Sequence, residues 1–220
     1  MGFNPFQMVQ TIHEYTFNNE IFAPFHINTD AEGLLKAGTG ATVWDSAIVL
    51  AKYLENNASK LFNSESIAME LGCGTGLAGL VCSHYCHNVL LTDKPNVTTL
   101  PKSTIRNNKQ FSNVSVMDLE WSDRTASALA IERLSKHPDI VLFSDCITWN
   151  ELYVDLIETL NTVCGNDTIL IFANEKRDFQ QESEFFRLLN QTFRFKNVDS
   201  EEQDTVYQSD DIYLFTASKK

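Results

Sequence analysis

A chain of 220 residues, 43% hydrophobic and 21% charged, is long enough to bury one ordinary core and falls in the soluble globular range, so a single domain is expected. Its formal charge of −12 leaves no basic footprint for a phosphate backbone, which excludes nucleic acid as the expected partner. No run of about 18 apolar residues is present to span a bilayer, and Met1 to Gln10 lack the basic start and apolar core of a signal peptide.

The expectation is therefore a soluble monomer away from membranes, cytoplasmic or also nuclear. Met1-Gly2 invites a myristoylation reading, but the pattern asks for Ser or Thr where Phe6 stands. The five cysteines (Cys73, Cys82, Cys86, Cys146, Cys164) are odd in number and show no Cys-x-x-Cys spacing. They read as reduced, mostly buried thiols, with no metal site.

In chain order, residues 1–42 form an extension with strand-like stretches around Glu14–Phe25 and a glycine-rich loop carrying Gly33, Gly38 and Gly40. A helix is predicted from about Trp44 to Asn56, with Ala47, Ile48, Ala51 and Leu54 on one stripe. From position 66, apolar runs bounded by turn residues alternate with segments of helical period. Strands are predicted at Ser66–Leu71, Asn88–Thr92, Val114–Leu119, Asp139–Ser144 and Thr168–Ala173, with two more near Phe193–Val198 and Ile212–Ala217.

The clearest helix between them is Glu151–Cys164, where Leu152, Leu156, Leu160 and Val163 recur at steps of three and four. Near-continuous runs such as Ile140-Val141-Leu142-Phe143 indicate a sheet covered on both faces. The last two strands have no helix between them, which predicts a hairpin at one sheet edge. The fold expected is α/β and Rossmann-like: a seven-stranded, mostly parallel sheet, helices on both faces and an antiparallel C-terminal hairpin.

The strongest local signal is Met69-Glu70-Leu71-Gly72-Cys73-Gly74-Thr75-Gly76-Leu77, where a strand hands over to a helix. Glycines there let the backbone turn sharply and approach a ligand, beside the first N–H groups of the next helix. Gly74-Thr75-Gly76-Leu77-Ala78-Gly79 also satisfies Gly-x-Gly-x-x-Gly, so a dinucleotide is an alternative. The acidic Glu70 ahead of Gly-x-Gly-x-Gly tilts the choice toward an adenosyl sulfonium. Asp93 ends the second strand, where its carboxylate can accept both ribose hydroxyls, and fits either cofactor.

With Val43-Trp44-Asp45-Ser46-Ala47-Ile48-Val49-Leu50, Leu119-Glu120-Trp121 and Ser144-Asp145-Cys146-Ile147 in the same order, the chain resembles the seven-strand protein-lysine methyltransferases that modify chaperones and elongation factors. The tail Tyr207-Gln208-Ser209-Asp210-Asp211-Ile212-Tyr213 resembles the branch containing the valosin-containing-protein lysine methyltransferase. The resemblance implies S-adenosylmethionine as cofactor, held by Trp44, Glu70, Gly72, Cys73, Gly74 and Asp93, with Trp121 beside the adenine and Ser144 near the sulfonium. It implies a protein substrate of chaperone or elongation-factor type, and valosin-containing protein is the acceptor singled out. A small-molecule methyltransferase and a non-catalytic interaction protein that keeps the cofactor site are the alternatives.

At the acceptor side the family places an acidic residue, two variable residues and then Tyr or Phe. Here the order is Asp145-Cys146-Ile147-Thr148, so Thr148 replaces the aromatic. Trp149 or Tyr153 is expected to supply the missing π face, and Asp145 to orient the lysine amine by hydrogen bonding. Asp145, Thr148 and Trp149 are thus the candidate catalytic residues.

Overall fold

The computed structural model describes residues 11–30, 33 and 35–220. Residues 1–10, read above for targeting and acylation signals, lie outside the described residues. Strands β1 (Thr11–Tyr15) and β2 (Phe25–Thr29) pair antiparallel as a small separate sheet. The strand-like stretch expected over Glu14–Phe25 is therefore corrected: only its ends are strand, and 16–24 is a loop. Pro24, without an N–H, cannot join a ladder, and the aromatics of this region pack inward. The Tyr15 and Phe17 rings lie 5.2 Å apart, and Phe17 meets His84 at 4.7 Å.

Helix α1 (Asp45–Asn56), followed by the short α2 (Ala58–Leu61), carries Lys52 and Glu55, whose side chains are 3% exposed and 3.1 Å apart. Lys52 Nζ donates to Thr16 O at 2.7 Å and to Asn18 Oδ1 at 3.0 Å, while Glu55 accepts the Tyr15 hydroxyl at 3.1 Å. Buried charges are tolerable only when their partners satisfy them in this way. The network clamps the 16–24 loop to α1.

The main sheet holds the seven predicted strands: β3 (Ile67–Leu71), β4 (Asn88–Asp93), β5 (Val114–Asp118), β6 (Ile140–Ser144), β7 (Ile169–Glu175), β8 (Phe193–Asn197) and β9 (Ile212–Lys219). Their order is β5-β4-β3-β6-β7-β9-β8, parallel from β5 through β7. β9 runs antiparallel to both β7 and β8. The hairpin expected at the edge is present, with its second strand inserted next to β7.

Alternation along each strand feeds two cores, as period-2 geometry requires when both faces are covered. Ala68, Leu142, Ile171 and Ala173 pack beneath α1 and α3 (Leu77–Cys82), with α4 (Thr99–Asn107) on the same side. Met69, Leu71, Val141, Phe143 and Phe172 pack beneath α5 (Arg124–Leu134), α6 (Tyr153–Val163) and α7 (Phe179–Thr192). All five cysteines are buried free thiols.

Strand order reverses between β3 and β6, since the chain moves from β3 to β4 and β5 on one side and returns to β6 and β7 on the other. In an open α/β sheet such a switch point opens a crevice at the carboxyl ends of the strands.

Candidate active site

A cleft of about 530 Å³ occupies that crevice, within the size range of ligand pockets. Trp44, Gly72, Cys73, Gly74, Asp93, Trp121, Ser144, Asp145, Thr148 and Trp149 all line it. These side chains come from the loops after β3, β4, β5 and β6 and from the start of α1, so the sheet's carboxyl rim assembles residues distant in sequence.

The glycine loop is held in conformations that only glycine adopts easily: φ is +58° at Gly72, +53° at Gly74 and +85° at Gly76. A Cβ on Gly72 would lie 2.7 Å from Cys146 Sγ and 3.1 Å from Trp121 Cζ2, so its absence lets the indole lie against the loop. Asp93 fixes the loop from the next strand. Its Oδ2 accepts the Gly74 N–H at 2.8 Å and its Oδ1 accepts the Lys94 N–H at 2.7 Å. Burial raises the Asp93 carboxyl above its ordinary value, opposed by those two amide bonds and by the Lys94 charge. On the far wall, Trp44 Nε1 donates to Thr39 O at 2.7 Å, anchoring the indole to the second glycine-rich segment.

Glu70 is the sequence-predicted residue that does not reach the cleft. It is 1% exposed, and its carboxylate accepts the Gly79 N–H of α3 at 2.9 Å, behind the loop. Strand alternation is the reason: Glu70 points to the face covered by α3, on the same side as Ala68. It braces the glycine turn and touches no ligand space. Burial pushes its carboxyl from an ordinary 4.5 up to about 8; the Gly79 N–H opposes this and the Asp93 charge adds to it.

The folded state therefore holds this proton at a pH where the unfolded chain has released it, so Glu70 costs stability as pH rises from about 4.5 to about 8. Glu70→Gln keeps an acceptor for Gly79 and cannot ionise. Urea unfolding should show the variant gaining on the parent between about pH 5 and about pH 8, by on the order of a few kcal/mol. A difference that does not change with pH would count against this ionisation.

On the lip of the cleft after β6, Asp145 has φ +50°, a left-handed position that aspartate tolerates. Its carboxylate is held from three directions: Ser46 donates its hydroxyl to Oδ2, and Oδ1 accepts the Glu175 N–H at 2.9 Å and Arg177 at 3.1 Å. Asp145 is thus a well-partnered group, and an incoming amine would not find it bare. Thr148 donates to Asp145 O at 3.2 Å and accepts from Arg177 Nη1 at 3.2 Å.

Of the two residues expected to replace the aromatic, Trp149 lines the cleft and is 50% exposed. Tyr153 is corrected: it is buried on α6, edge-on to Phe185 at 5.6 Å, and does not reach the cleft. Ser46, Glu175 and Arg177 are site residues that sequence reasoning missed. Ser46 stands in the motif that carries Trp44, while the signal for Glu175 and Arg177 was position alone, since the end of β7 lies on the same rim as the ends of β3, β4 and β6.

With this geometry in place, comparison with known proteins gives its class. Residues 27–192 match the model of the lysine methyltransferase family. Protein N-lysine methyltransferase METTL21A of Mus musculus is 29% identical over 186 residues, covering 83% of this chain and 79% of that protein. EEF1A lysine methyltransferase 3 of Xenopus tropicalis is 30% identical over 175 residues, 78% of this chain and 75% of that protein.

Among solved structures, a putative methyltransferase, SMU.776, complexed with SAH superposes with a TM-score of 0.61 at 12% identity, covering 94% of this chain and 56% of that one. A precorrin-6y C5,15-methyltransferase from Geobacter metallireducens superposes with a TM-score of 0.54 at 12% identity, covering 74% and 85%. At such identities these two neighbours speak to the Rossmann-like fold alone. The family match spans most of the chain and the site lies at the switch point of the fold: the chain belongs to the lysine methyltransferase family, enzymes that take their methyl group from S-adenosylmethionine.

Proposed function

We propose that this protein methylates the ε-amine of a lysine on another protein, with S-adenosylmethionine as donor. The observation that carries the reading is the meeting, in one cleft, of a glycine turn clamped by Asp93 and a partnered acid, Asp145, on the opposite lip. The residues suit the cofactor. The left-handed glycines let the backbone approach it, Asp93 keeps lone pairs toward the cleft for ribose hydroxyls, and Trp121 offers a flat face for adenine. Trp44, Cys73 and Ser144 line the remaining wall.

When bound, S-adenosylmethionine supplies an electrophilic methyl carbon on a cationic sulfur. The chain's own contribution is placement, a factor that can supply about 7–11 kcal/mol in well-oriented reactions. A lysine amine has a reference pKa of about 10.4 and attacks only when neutral. Asp145 receives the lysine as an ammonium and by itself raises that pKa; removal from water in a cleft walled by Trp44 and Trp149, with the cationic sulfur of a bound cofactor, lowers it, and the proton is lost to solvent before attack. Asp145, fixed by Ser46 and the Glu175 N–H, orients the amine and needs no strength as a base.

The acceptor is a large protein of the chaperone or elongation-factor type. Valosin-containing protein is the single candidate we put first, on the resemblance of the stretch Tyr207–Tyr213. The test is incubation with radiolabelled S-adenosylmethionine and an extract lacking this enzyme, with purified valosin-containing protein and elongation factor 1A in parallel, followed by mass spectrometry. Label on a protein lysine is expected. Label confined to a small metabolite overturns the reading.

A further inference from the structure

The acceptor lip already holds a cation, and it is the chain's own. Arg177 Nη1 donates to Asp145 Oδ1 at 3.1 Å and to Thr148 Oγ1 at 3.2 Å, and Nη2 donates to Glu175 Oε2 at 2.7 Å. The guanidinium carbon lies 5.8 Å from the centre of the Trp44 ring. Two carboxylates, a hydroxyl and an aromatic face are the groups that receive an alkylammonium. All of them, and Arg177 itself, line the same cleft.

We propose that Arg177 is a selectivity residue whose guanidinium occupies the acceptor's cation subsite, so that a substrate lysine must displace it. The idea rests on the lysine-methylation reading above. Three features of the lip carry it.

First, the partners of Asp145 differ in their freedom to leave. Ser46 is fully buried on α1, and the Glu175 N–H belongs to the end of β7, so both are fixed by the fold. Arg177 is 31% exposed on a long side chain and can swing into solvent while its backbone stays in place. Second, an arriving ammonium finds on Asp145 Oδ1 the position now held by Nη1. Third, the Thr148 hydroxyl supplies one of the bonds that seat the guanidinium, a bond that a phenylalanine in its place could not make. Thr148 and Arg177 therefore work as a pair.

An intramolecular plug competes at high effective concentration. Small free amines are excluded by it, whereas a lysine delivered by a docked protein surface brings enough further binding energy to move it. The subsite thereby discriminates by the size of the acceptor as well as by its charge.

The experiment uses n-butylammonium, which has the length and charge of a lysine side chain, followed by the fluorescence of the cleft tryptophans Trp44, Trp121 and Trp149 with no cofactor added. Arg177→Ala should bind it with saturation at least about tenfold more tightly than the parent, the scale of one lost charge-assisted competitor. Arg177→Met, which keeps an apolar stem, should behave like Arg177→Ala and guards against a folding defect in one variant. Arg177→Lys, which restores a cation, should return to weak binding. Equal affinity in parent and Arg177→Ala, or no binding by either neutral variant, overturns the proposal. Calorimetry of the parent with S-adenosylhomocysteine tests the cofactor reading separately, so either idea can fail alone.

Discussion

Asp93→Ala is expected to abolish measurable binding of S-adenosylhomocysteine, or to weaken it at least about a hundredfold, while the protein stays folded. The size follows from what the carboxylate does. It accepts the Gly74 N–H at 2.8 Å and the Lys94 N–H at 2.7 Å, and so shapes the glycine turn before any ligand arrives. Asp93 also lines the cleft, where its remaining lone pairs would accept ribose hydroxyls. Each hydrogen bond to a charged group contributes about 1.5–3 kcal/mol, and about 1.4 kcal/mol is tenfold in affinity, so losing two ribose bonds and the loop clamp exceeds a hundredfold.

The charged form is the one that accepts. Because burial raises the Asp93 carboxyl, binding should begin to weaken on acidification at a pH above the ordinary aspartate range. Asp93→Asn keeps an acceptor for Gly74 and should fall between parent and Ala. Calorimetry decides the matter: an Asp93→Ala protein that bound within about threefold of the parent would show that the ribose contact lies elsewhere.

The fold was legible because hydrophobic runs and helical stripes alternate cleanly from position 66, and no strand end departs from expectation by more than two residues. The loops after β3, β4 and β6 were legible because they carry motifs. What escaped did so for geometric reasons. Glu70 borders the glycine turn in sequence, but the two-residue alternation of β3 sends it toward α3. Tyr153 lies one and two turns before Leu156, Ile157 and Leu160, and that helical period puts it on the buried stripe of α6.

Ser46 meets Asp145 across 99 residues, and Arg177 across 32, distances at which no local spacing gives a signal. The N-terminal hairpin was only half legible. Its strands are short, and the segment after β1 is held to α1 by the buried Lys52–Glu55 pair, whose side chains lie three residues apart with nothing in that spacing to mark them as buried.

The second large effect is expected at Asp145, and Asn is the informative substitution there. Asp145→Ala would put a β-carbon without a polar side chain at φ +50° and strip the Ser46 hydroxyl and the Glu175 N–H of their acceptor, a loss of about 1–3 kcal/mol for each buried group left unpaired. Its lost activity would then mix chemistry with folding. Asparagine tolerates the left-handed backbone, removes the charge and keeps one acceptor oxygen for the Glu175 N–H, while its amide NH2 replaces Oδ2 opposite the Ser46 hydroxyl, which can turn to accept it.

If Asp145 orients the amine in the reacting complex, Asp145→Asn should lower kcat and kcat/KM together by about a hundredfold, the penalty typical of a misplaced reacting group, while the Kd for S-adenosylhomocysteine stays within about threefold. A rise in KM with kcat unchanged would instead assign Asp145 to docking the acceptor, since an interaction made equally before and during reaction leaves turnover untouched. Loss of cofactor affinity in step with turnover would move Asp145 to the donor side of the cleft. An Asp145→Asn enzyme with full activity would remove the acceptor from this lip altogether, and with it the reason for Arg177 to stand there.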